Sequence, residues 1–256
     1  HGMYGVNRYS RIMTQGERVI AVSNTVRDYI LREYPDTPPW RIQVIHRGVD
    51  GQIYPHGWKP DPAWQQIFFT QFPDAAGKQL LTLPGRITRL KGHEDFIELI
   101  ARLKRRGLPV HGLIVGGASS SKQRYLHKLR YRVRSMGLVH DISFTGQRDD
   151  LKNILAISNL VLSLSTQPES FGRTTLEALR LGVPTAGYDH GGVGEILRTV
   201  YPAGLLPVNG IDETCQRIAR LLQQPDPVPT GDFFPLQAML DQTLALYEQL
   251  ARTPRR

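Results

Sequence analysis

The chain has 256 residues, 40% hydrophobic and 21% charged, which is typical of a globular protein, and no apolar run reaches the roughly 18 residues that a membrane-spanning helix requires. Its net charge of +9, from 32 Lys and Arg against 23 Asp and Glu, favours an anionic partner such as a nucleotide, a nucleic acid or an acidic membrane surface. The single cysteine, Cys215, excludes an internal disulfide and is typical of a protein of the reducing cytoplasm.

Strand and helix patterns alternate along most of the chain. Short apolar runs predict strands at residues 18–23, 41–46, 80–83, 110–115, 141–145, 160–164, 185–188 and 204–208. Apolar side chains at helical spacing predict helices at residues 24–34, 93–106, 121–136, 148–157, between 172 and 182, as a short turn near 195, at 212–223 and at 235–251. This alternation predicts an α/β fold, a doubly wound parallel sheet with helices on both faces.

Two segments interrupt the alternation. Residues 48–77 are rich in Pro, Gly and Trp and are predicted to form an irregular connection. Residues 225–231, which contain three prolines and a glycine, are predicted to form a linker before the last helix.

The predicted helix at residues 121–136 carries much of the positive charge. Its apolar stripe, Leu126, Leu129, Val133 and Met136, is expected to face the core. Six cations are then expected on the outside: Lys122, Arg124, Lys128, Arg130, Arg132 and Arg134. A solvated face is the simpler interpretation, and a patch for anionic lipid, at roughly 1 kcal/mol for each cation near the surface, is the functional one.

Residues 168–184 hold two acids eight positions apart, Glu169 and Glu177, where a buried strand passes into a helix. The first N–H groups of a helix have no partner within it, and together with the helix dipole they suit a phosphate or pyrophosphate. Gly172 lets the backbone approach such a ligand because it has no side chain. One acid for sugar hydroxyls, a helix end for phosphate and a second acid for a ribose diol would together bind a sugar nucleotide.

This Glu-x7-Glu pattern, with Ser-Phe-Gly after the first Glu, resembles the signature of the retaining GT-B glycosyltransferases of family GT4. The resemblance implies a GT-B type, Rossmann-like fold. It implies that Glu169 lies by the donor sugar and that Glu177 binds the nucleotide ribose. It also implies donor binding by the residues that follow the first Glu: Ser170, Phe171, Gly172, Arg173 and Thr174.

A second motif occupies residues 83–93, at the end of another predicted strand. Gly85, Arg86 and Lys91 resemble the Gly-Arg-x4-Lys-Gly element whose cations hold the donor pyrophosphate in this family. Two fixed cations in a dry cleft can stabilise the charge that develops on a departing diphosphate without a metal. The resemblance implies catalytic roles for Arg86, Lys91 and Glu169, with no metal site and no cofactor besides the sugar-nucleotide substrate.

Three further segments follow the family pattern. His1 resembles a histidine that lines the cleft from the acceptor side and is expected to contact the donor sugar. Residues 191–195 are expected to shape a loop near the donor, with a plain helix cap as the alternative role of Glu195. Residues 146–148 follow a strand where related enzymes meet the nucleotide base through backbone groups.

The resemblance also divides the chain. Residues 1–40 are expected to be the tail end of the N-terminal acceptor-binding domain, and residues 41–224 the C-terminal donor-binding Rossmann-like domain. Residues 225–256 are expected to form a linker and a C-terminal crossover helix. The earlier strands and the glycine-rich loop of an acceptor domain are missing, so the sequence is expected to be a fragment.

The resemblance therefore implies a retaining, metal-independent glycosyltransferase that moves a hexosyl unit from a nucleoside diphosphate sugar to a glycan or lipid-linked acceptor. The first segment and residues 168–179 resemble bacterial enzymes that build lipopolysaccharide or other surface glycans. That likeness implies a cytoplasmic protein, peripheral at the inner face of the plasma membrane. The aromatic residues lack the interleaving that a nucleic-acid stacking platform requires, so no nucleic-acid partner is expected. The base, the sugar, the acceptor and the oligomeric state leave no clear signal in the residue types.

Three other interpretations stay open. Another GT-B sugar-nucleotide enzyme, an epimerase or a phosphorylase-like enzyme, would share the donor site, and an epimerase would convert the donor sugar without an acceptor. A non-catalytic module would bind anionic lipid or nucleic acid through the basic helix, with steep salt dependence and no response to nucleoside diphosphates. A degenerate, structural glycosyltransferase domain would lack the set of two cations and two acids found here.

Overall fold

A computed structural model describes residue 3 and residues 5–252. Within these residues, six strands form the main sheet and two short strands form a second sheet, and every pairing is parallel. The strands are, in chain order, β1 (Val19–Ala21), β2 (Ile42–Val44), β3 (Gln79–Pro84), β4 (Val110–Val115), β5 (Ile142–Gly146), β6 (Leu160–Ser163), β7 (Thr185–Tyr188) and β8 (Leu205–Leu206). The predicted α/β fold and each predicted strand are confirmed.

One α-helix precedes the first strand, and the others lie between the strands and after the last one. In chain order they are α1 (Arg8–Ile12), α2 (Asn24–Glu33), α3 (Pro62–Gln71), α4 (His93–Arg105), α5 (Gln123–Ser135), α6 (Leu151–Ala156), α7 (Arg173–Arg180), α8 (Gly191–Val200), α9 (Ile211–Gln223) and α10 (Leu236–Arg252). No helix within the described residues is long and apolar enough to cross a membrane.

The main sheet has the strand order β5-β4-β3-β6-β7-β8. The chain starts in the middle at β3, adds β4 and β5 on one side, and then returns to place β6 against the other side of β3. The direction of winding therefore reverses between β3 and β6. In open parallel sheets, the loops that leave the carboxyl ends of strands at such a switch point form the ligand crevice.

Both faces of the main sheet are covered by apolar side chains, because successive residues of a strand point to opposite faces. In β3, Leu81 and Leu83 belong to the largest core cluster, whereas Leu80 belongs to a separate cluster. In β6, Leu162 and Val161 divide in the same way between the largest cluster and a third one. The central strands are therefore buried on two sides, as a doubly wound sheet requires.

The prediction of an irregular connection over residues 48–77 is wrong for its second half, where α3 forms. Asp61 accepts a hydrogen bond from the N–H of Ala63 at 2.7 Å, and a proline occupies the first helical position. Pro at that position adopts the required φ and has no N–H to leave unpaired. Trp64 and Phe68, four residues apart, then stack at 5.2 Å on one face of the helix.

The helix α8 is longer than the short turn that the sequence predicts near residue 195. Three glycines in its first turn lower helix propensity and obscure the pattern. Val193, Ile196, Leu197 and Val200 are buried in the largest core cluster, so tertiary packing stabilises the helix.

The second sheet crosses the predicted domain boundary, and α10 begins against the segment that follows this sheet. The strands β1 and β2 pair with each other, so this sheet extends past the predicted boundary at residue 40, and the division into domains stays a prediction. At the other end of the chain, the N–H of Val49 donates to the carbonyl of Phe234 at 3.0 Å, and the N–H of Leu236 donates to the carbonyl of Val49 at 3.2 Å. The last helix thus starts against the segment that joins the two sheets.

Candidate active site

The loops that follow β3 and β6 carry two of the predicted catalytic residues to the switch point. Lys91 lies in the first loop and Glu169 in the second, 78 positions apart in sequence. The Lys91 ammonium donates to Glu169 Oε1 at 2.8 Å, and the two side chains are 29% and 24% exposed. The sheet topology therefore brings these residues into direct contact in a partly shielded place, where charges interact more strongly than in bulk water.

Glu169 keeps one oxygen available for a ligand. Its Oε1 accepts hydrogen bonds from Lys91 and from the Ser165 hydroxyl. Its Oε2 has no partner within the part of the chain that the structure describes. The ring Nε2 of His190 lies 2.7 Å from the carbonyl oxygen of Ser165 and holds that residue in place. Sequence reasoning missed Ser165 as a partner of Glu169, although it lies four positions before the acid at the end of a strand.

The loop that carries Lys91 is fixed to the loop after β6. The N–H of Thr166 donates to the carbonyl of Leu90 at 2.8 Å. Gly92 has a φ of +69°, and a Cβ at this position would lie 1.8 Å from the carbonyl oxygen of Leu164. Only glycine fits such a conformation and such a close approach. The Lys91–Glu169 contact is therefore supported by the backbone on both sides.

The amino end of α7 opens into a small cleft beside this ion pair. Gly172, with a φ of +94°, precedes the helix and has no side chain to cap its first N–H groups. The cleft is lined by Lys91, Glu169, Gly172, Arg173, Thr174 and Thr175, among others. Free N–H groups, the positive end of the helix dipole and a lysine ammonium all favour an anion here.

Residues 169–172, the donor loop, are supported from behind by α8. The N–H of Gly192 donates to the carbonyl of Glu169 at 2.7 Å. A Cβ on Gly192 would lie 2.3 Å from the Cα of Phe171, so the two backbones are in contact. The segment at residues 191–195 thus packs against the donor loop, beside the predicted donor site. The buried ring of Phe171 packs against Phe234 and His46, which leaves its backbone as the part that can meet a donor.

Glu177 does not line the cleft with Lys91 and Glu169. It lies further along α7, its side chain is 7% exposed, and Arg173 Nε lies 3.1 Å from its Oε1. Burial raises the pKa of Glu177, and Arg173 together with a hydrogen bond from the Tyr54 hydroxyl opposes that rise. Tyr54 comes from the irregular half of residues 48–77, so sequence reasoning had no pattern that would place it here. A ribose that reaches Glu177 must share it with Arg173 and Tyr54.

Arg86 is exposed just after the carboxyl end of β3. Its side chain has no ion pair or hydrogen bond within residues 3 and 5–252. It follows Gly85, whose carbonyl oxygen would lie 1.9 Å from a Cβ on Gly116. The N–H of Gly116 in turn donates to the carbonyl of Gly146 at 2.9 Å. Glycines at the ends of β3, β4 and β5 therefore lie side by side, with their backbones in contact. The last of them, Gly146, begins the segment at residues 146–148 that is predicted to meet the nucleotide base.

Glu195 caps a helix, although it caps α2 and not its own helix. Its carboxylate accepts the N–H groups of Asn24 at 3.1 Å and of Thr25 at 3.2 Å, and it lies 2.7 Å from His46 Nε2. Burial by itself would raise the pKa of Glu195, but the hydrogen bonds from His46, Asn24 and Thr25 lower that pKa to about 2. These hydrogen bonds therefore favour the charged form of the carboxylate.

Two further predictions concern His1 and the cations of the basic helix α5. His1 lies outside the described residues, so its predicted contact with the donor sugar stays a prediction. Of the six cations expected outside at the basic helix, all but the half-buried Arg132 are exposed. Two of them are paired with acids: Lys128 lies 3.3 Å from Glu94, and Arg132 lies 3.8 Å from Glu98. These acids of α4 neutralise the side of α5 that faces them, so the free positive surface is smaller than the sequence indicates.

Comparison with known protein families finds two matching family models. The family model described as "Glycosyl transferases group 1" matches residues 65–230, which is more than half of the chain. The model described as "Glycosyltransferase Family 4" matches residues 2–52.

Two curated relatives illustrate the similarity. The chain is 27% identical over 222 residues to the D-inositol 3-phosphate glycosyltransferase of Gordonia bronchialis, an alignment that covers 84% of this chain and 47% of the relative. It is 35% identical over 182 residues to the mannosylfructose-phosphate synthase of Agrobacterium fabrum, which covers 69% of this chain and 38% of the relative. The chain thus spans less than half the length of these relatives.

Solved structures share the fold. A glycosyltransferase from Rickettsia africae superposes with a TM-score of 0.81 at 23% identity, over 99% of this chain and 70% of that one. HepE of Anabaena, in complex with UDP and glucose, superposes with a TM-score of 0.81 at 22% identity, over 91% of this chain and 64% of that one. The fold is that of GT-B glycosyltransferases, and the chain belongs to the group 1 family of glycosyl transferases.

Proposed function

We propose that this chain binds a nucleoside diphosphate sugar and supplies the donor half of a retaining glycosyltransferase. The observation that carries the proposal is the contact between Lys91 and Glu169 at the switch point of the sheet, beside the open amino end of α7. This arrangement offers a cation and free N–H groups to a diphosphate, and a carboxylate oxygen to a sugar hydroxyl.

Each group has a distinct part in the proposed reaction. The Lys91 ammonium has three N–H donors and uses one of them on Glu169, so it can also contact a phosphate oxygen. As the bond between the sugar and the diphosphate breaks, negative charge grows on the leaving group. Lys91, the amino end of α7 and the exposed Arg86 would stabilise that charge. Glu169 would orient the sugar, and the acceptor hydroxyl would attack on the face from which the diphosphate leaves.

The finer features of the proposal concern the substrates and the cell. A hexosyl donor, retention at the anomeric carbon, independence from metals and a glycan or lipid-linked acceptor of a bacterial surface pathway all follow from the resemblance of the motifs. Four exposed cations have no acidic partner within the described residues: Lys122, just before α5, and Arg124, Arg130 and Arg134 within it. They support a peripheral contact with anionic lipid at the inner face of the plasma membrane.

A thermal-shift panel tests donor binding in this chain. We expect one of UDP, GDP and ADP, or its sugar, to raise the melting temperature, since a ligand at a hundred times its dissociation constant stabilises a protein by about 2.7 kcal/mol. The same shift is expected in EDTA, because two protein cations and a helix end replace a metal. UDP and UDP-glucose come first, because structures of HepE contain them. A chain that responds to none of these ligands would contradict the proposal.

Replacement of Glu177 by Ala is expected to weaken binding of the preferred nucleoside diphosphate by a few-fold to a hundredfold. The physical reason is the loss of one or two charged hydrogen bonds to the ribose, each about 1.5–3 kcal/mol and partly offset by water. Calorimetry on the variant and on Glu213→Gln, an exposed acid of α9, gives the comparison. Unchanged affinity for Glu177→Ala would remove this residue from the ribose role.

A further inference from the structure

The donor loop is held by two parts of the chain that lie far apart in sequence. On one side, the N–H of Gly192 in the first turn of α8 donates to the carbonyl of Glu169 at 2.7 Å. On the other side, the hydroxyl of Ser23 donates to the carbonyl of Ser170 at 2.6 Å, across 147 positions of sequence. Two successive carbonyl groups of the donor loop are therefore fixed, one by α8 and one by the residue that precedes α2.

Fixing these carbonyls also fixes the N–H groups that follow them. A peptide unit is planar and trans, so its N–H points opposite to its carbonyl. The carbonyl of Glu169 points towards α8 and that of Ser170 towards the start of α2. The N–H of Ser170 therefore points away from α8, and the N–H of Phe171 points away from α2. The family resemblance assigns donor binding to Ser170 and Phe171, and the proposed function assigns the diphosphate to the amino end of α7, which these two residues directly precede. The direction of the two N–H groups depends on how α2 and α8 are placed relative to each other.

Ser23 is itself held in one position. It is fully buried, and its hydroxyl oxygen accepts the N–H of Val26 at 3.1 Å as the N-cap of α2. A serine hydroxyl has one proton, which here goes to the carbonyl of Ser170. The bond to the donor loop therefore moves with the amino end of α2.

Glu195 joins the amino end of α2 to α8. Its carboxylate accepts the backbone N–H groups of Asn24 and Thr25 and the side-chain amide of Asn24, the last at 2.7 Å. His46, from the segment after β2, contacts the same carboxylate. The side chain of Glu195 is 16% exposed and does not line the cleft, so it does not meet a ligand of that cleft itself. It satisfies N–H groups that a helix leaves open at its first turn, and it opposes the positive end of the α2 dipole.

We infer that Glu195 is a positioning residue for diphosphate binding, which holds α2 against α8 so that Ser23 keeps the donor-loop N–H groups directed at the diphosphate. This inference rests on the proposed function of the donor loop. It goes beyond that function because it makes recognition of the diphosphate depend on the segment before β2, which lies outside the six-stranded sheet.

The experiment compares binding of a nucleoside diphosphate with binding of its monophosphate. Calorimetry with UDP and UMP, and with the GDP and ADP pairs, is applied to the unaltered chain, to Glu195→Gln and to Ser23→Ala. Glu213→Gln is the matched control, because Glu213 is an exposed acid that pairs with Arg217 on α9. We expect Glu195→Gln and Ser23→Ala to reduce the preference for the diphosphate by about threefold to tenfold, and the control to leave it unchanged.

The ratio of diphosphate affinity to monophosphate affinity distinguishes a positioning role of Glu195 from a general loss of stability. A general loosening of the fold would weaken the two nucleotides equally, whereas misdirected N–H groups would weaken mainly the diphosphate. Ser23→Ala removes a single hydroxyl and carries the test if Glu195→Gln does not unfold cooperatively. An unchanged preference in folded variants would overturn the inference and leave the proposed function intact. Failure of the unaltered chain to bind any of these nucleotides would overturn both.

Discussion

Replacement of Lys91 by Ala is expected to lower turnover about 100-fold to 1,000-fold in the full-length protein, because removal of one preorganised donor at a developing charge has an effect of this size. The ammonium contacts Glu169 at the switch point, so its loss removes a cation that lines the cleft of the proposed leaving group. The free energy of unfolding should change by only about 1 kcal/mol or less, since a partly exposed ion pair contributes little to stability.

The control for this variant is Lys59→Ala, an exposed lysine outside the cleft. Initial rates with the donor identified in the nucleotide panel give turnover, and urea unfolding gives stability. Product analysis by NMR on the unaltered protein reports the anomeric configuration and distinguishes transfer from epimerisation. Near-normal turnover of Lys91→Ala would refute the assignment of this residue to the pyrophosphate.

Replacement of Gly92 by Ala is expected to lower the free energy of unfolding by about 2 to 5 kcal/mol, from overpacking together with strain at positive φ. A Cβ would lie 1.8 Å from the carbonyl oxygen of Leu164, which belongs to the backbone and cannot turn aside. The loops after β3 and β6 would have to separate, and with them Lys91 and Glu169. Nucleotide binding should therefore fall together with stability.

Gly107 offers a matched control for this substitution. It has a φ of +78°, close to the +69° of Gly92, but a Cβ there would meet no heavy atom within 4 Å. Gly107→Ala should therefore show only the strain of an L-residue at positive φ, about 1 to 2 kcal/mol. Urea denaturation of the two variants isolates the contribution of the close approach. Equal destabilisation of both would show that the contact between the two loops is unimportant.

Part of the candidate site is predictable from local sequence. Lys91 and Glu169 each follow a strand that ends in a recognisable turn, and glycine marks the close backbone approaches at residues 92 and 172. Because both strands are parallel and central, their carboxyl ends meet at the same edge of the sheet. The contact between the two side chains follows from this topology, although their residues lie far apart in sequence.

Other parts of the site depend on contacts that leave no local pattern. Tyr54 reaches Glu177 from a segment without regular periodicity, and His190 reaches Ser165 from the loop after β7. The partners of Glu195 are the first residues of α2 and His46. The sequence indicates that Glu195 can cap a helix, but which helix it caps depends on how α2 packs against α8.

The sequence by itself determined the order of strands and helices, the parallel sheet and the loops that carry the polar groups, because each of these depends on the period of apolar residues and on glycine at fixed positions. The tertiary structure decided which of those groups meet. It placed Lys91 on Glu169, buried Glu177 beneath Arg173 and Tyr54, and left Arg86 exposed. Such contacts depend on strand order and helix packing across the whole sheet, which no local segment of the chain specifies.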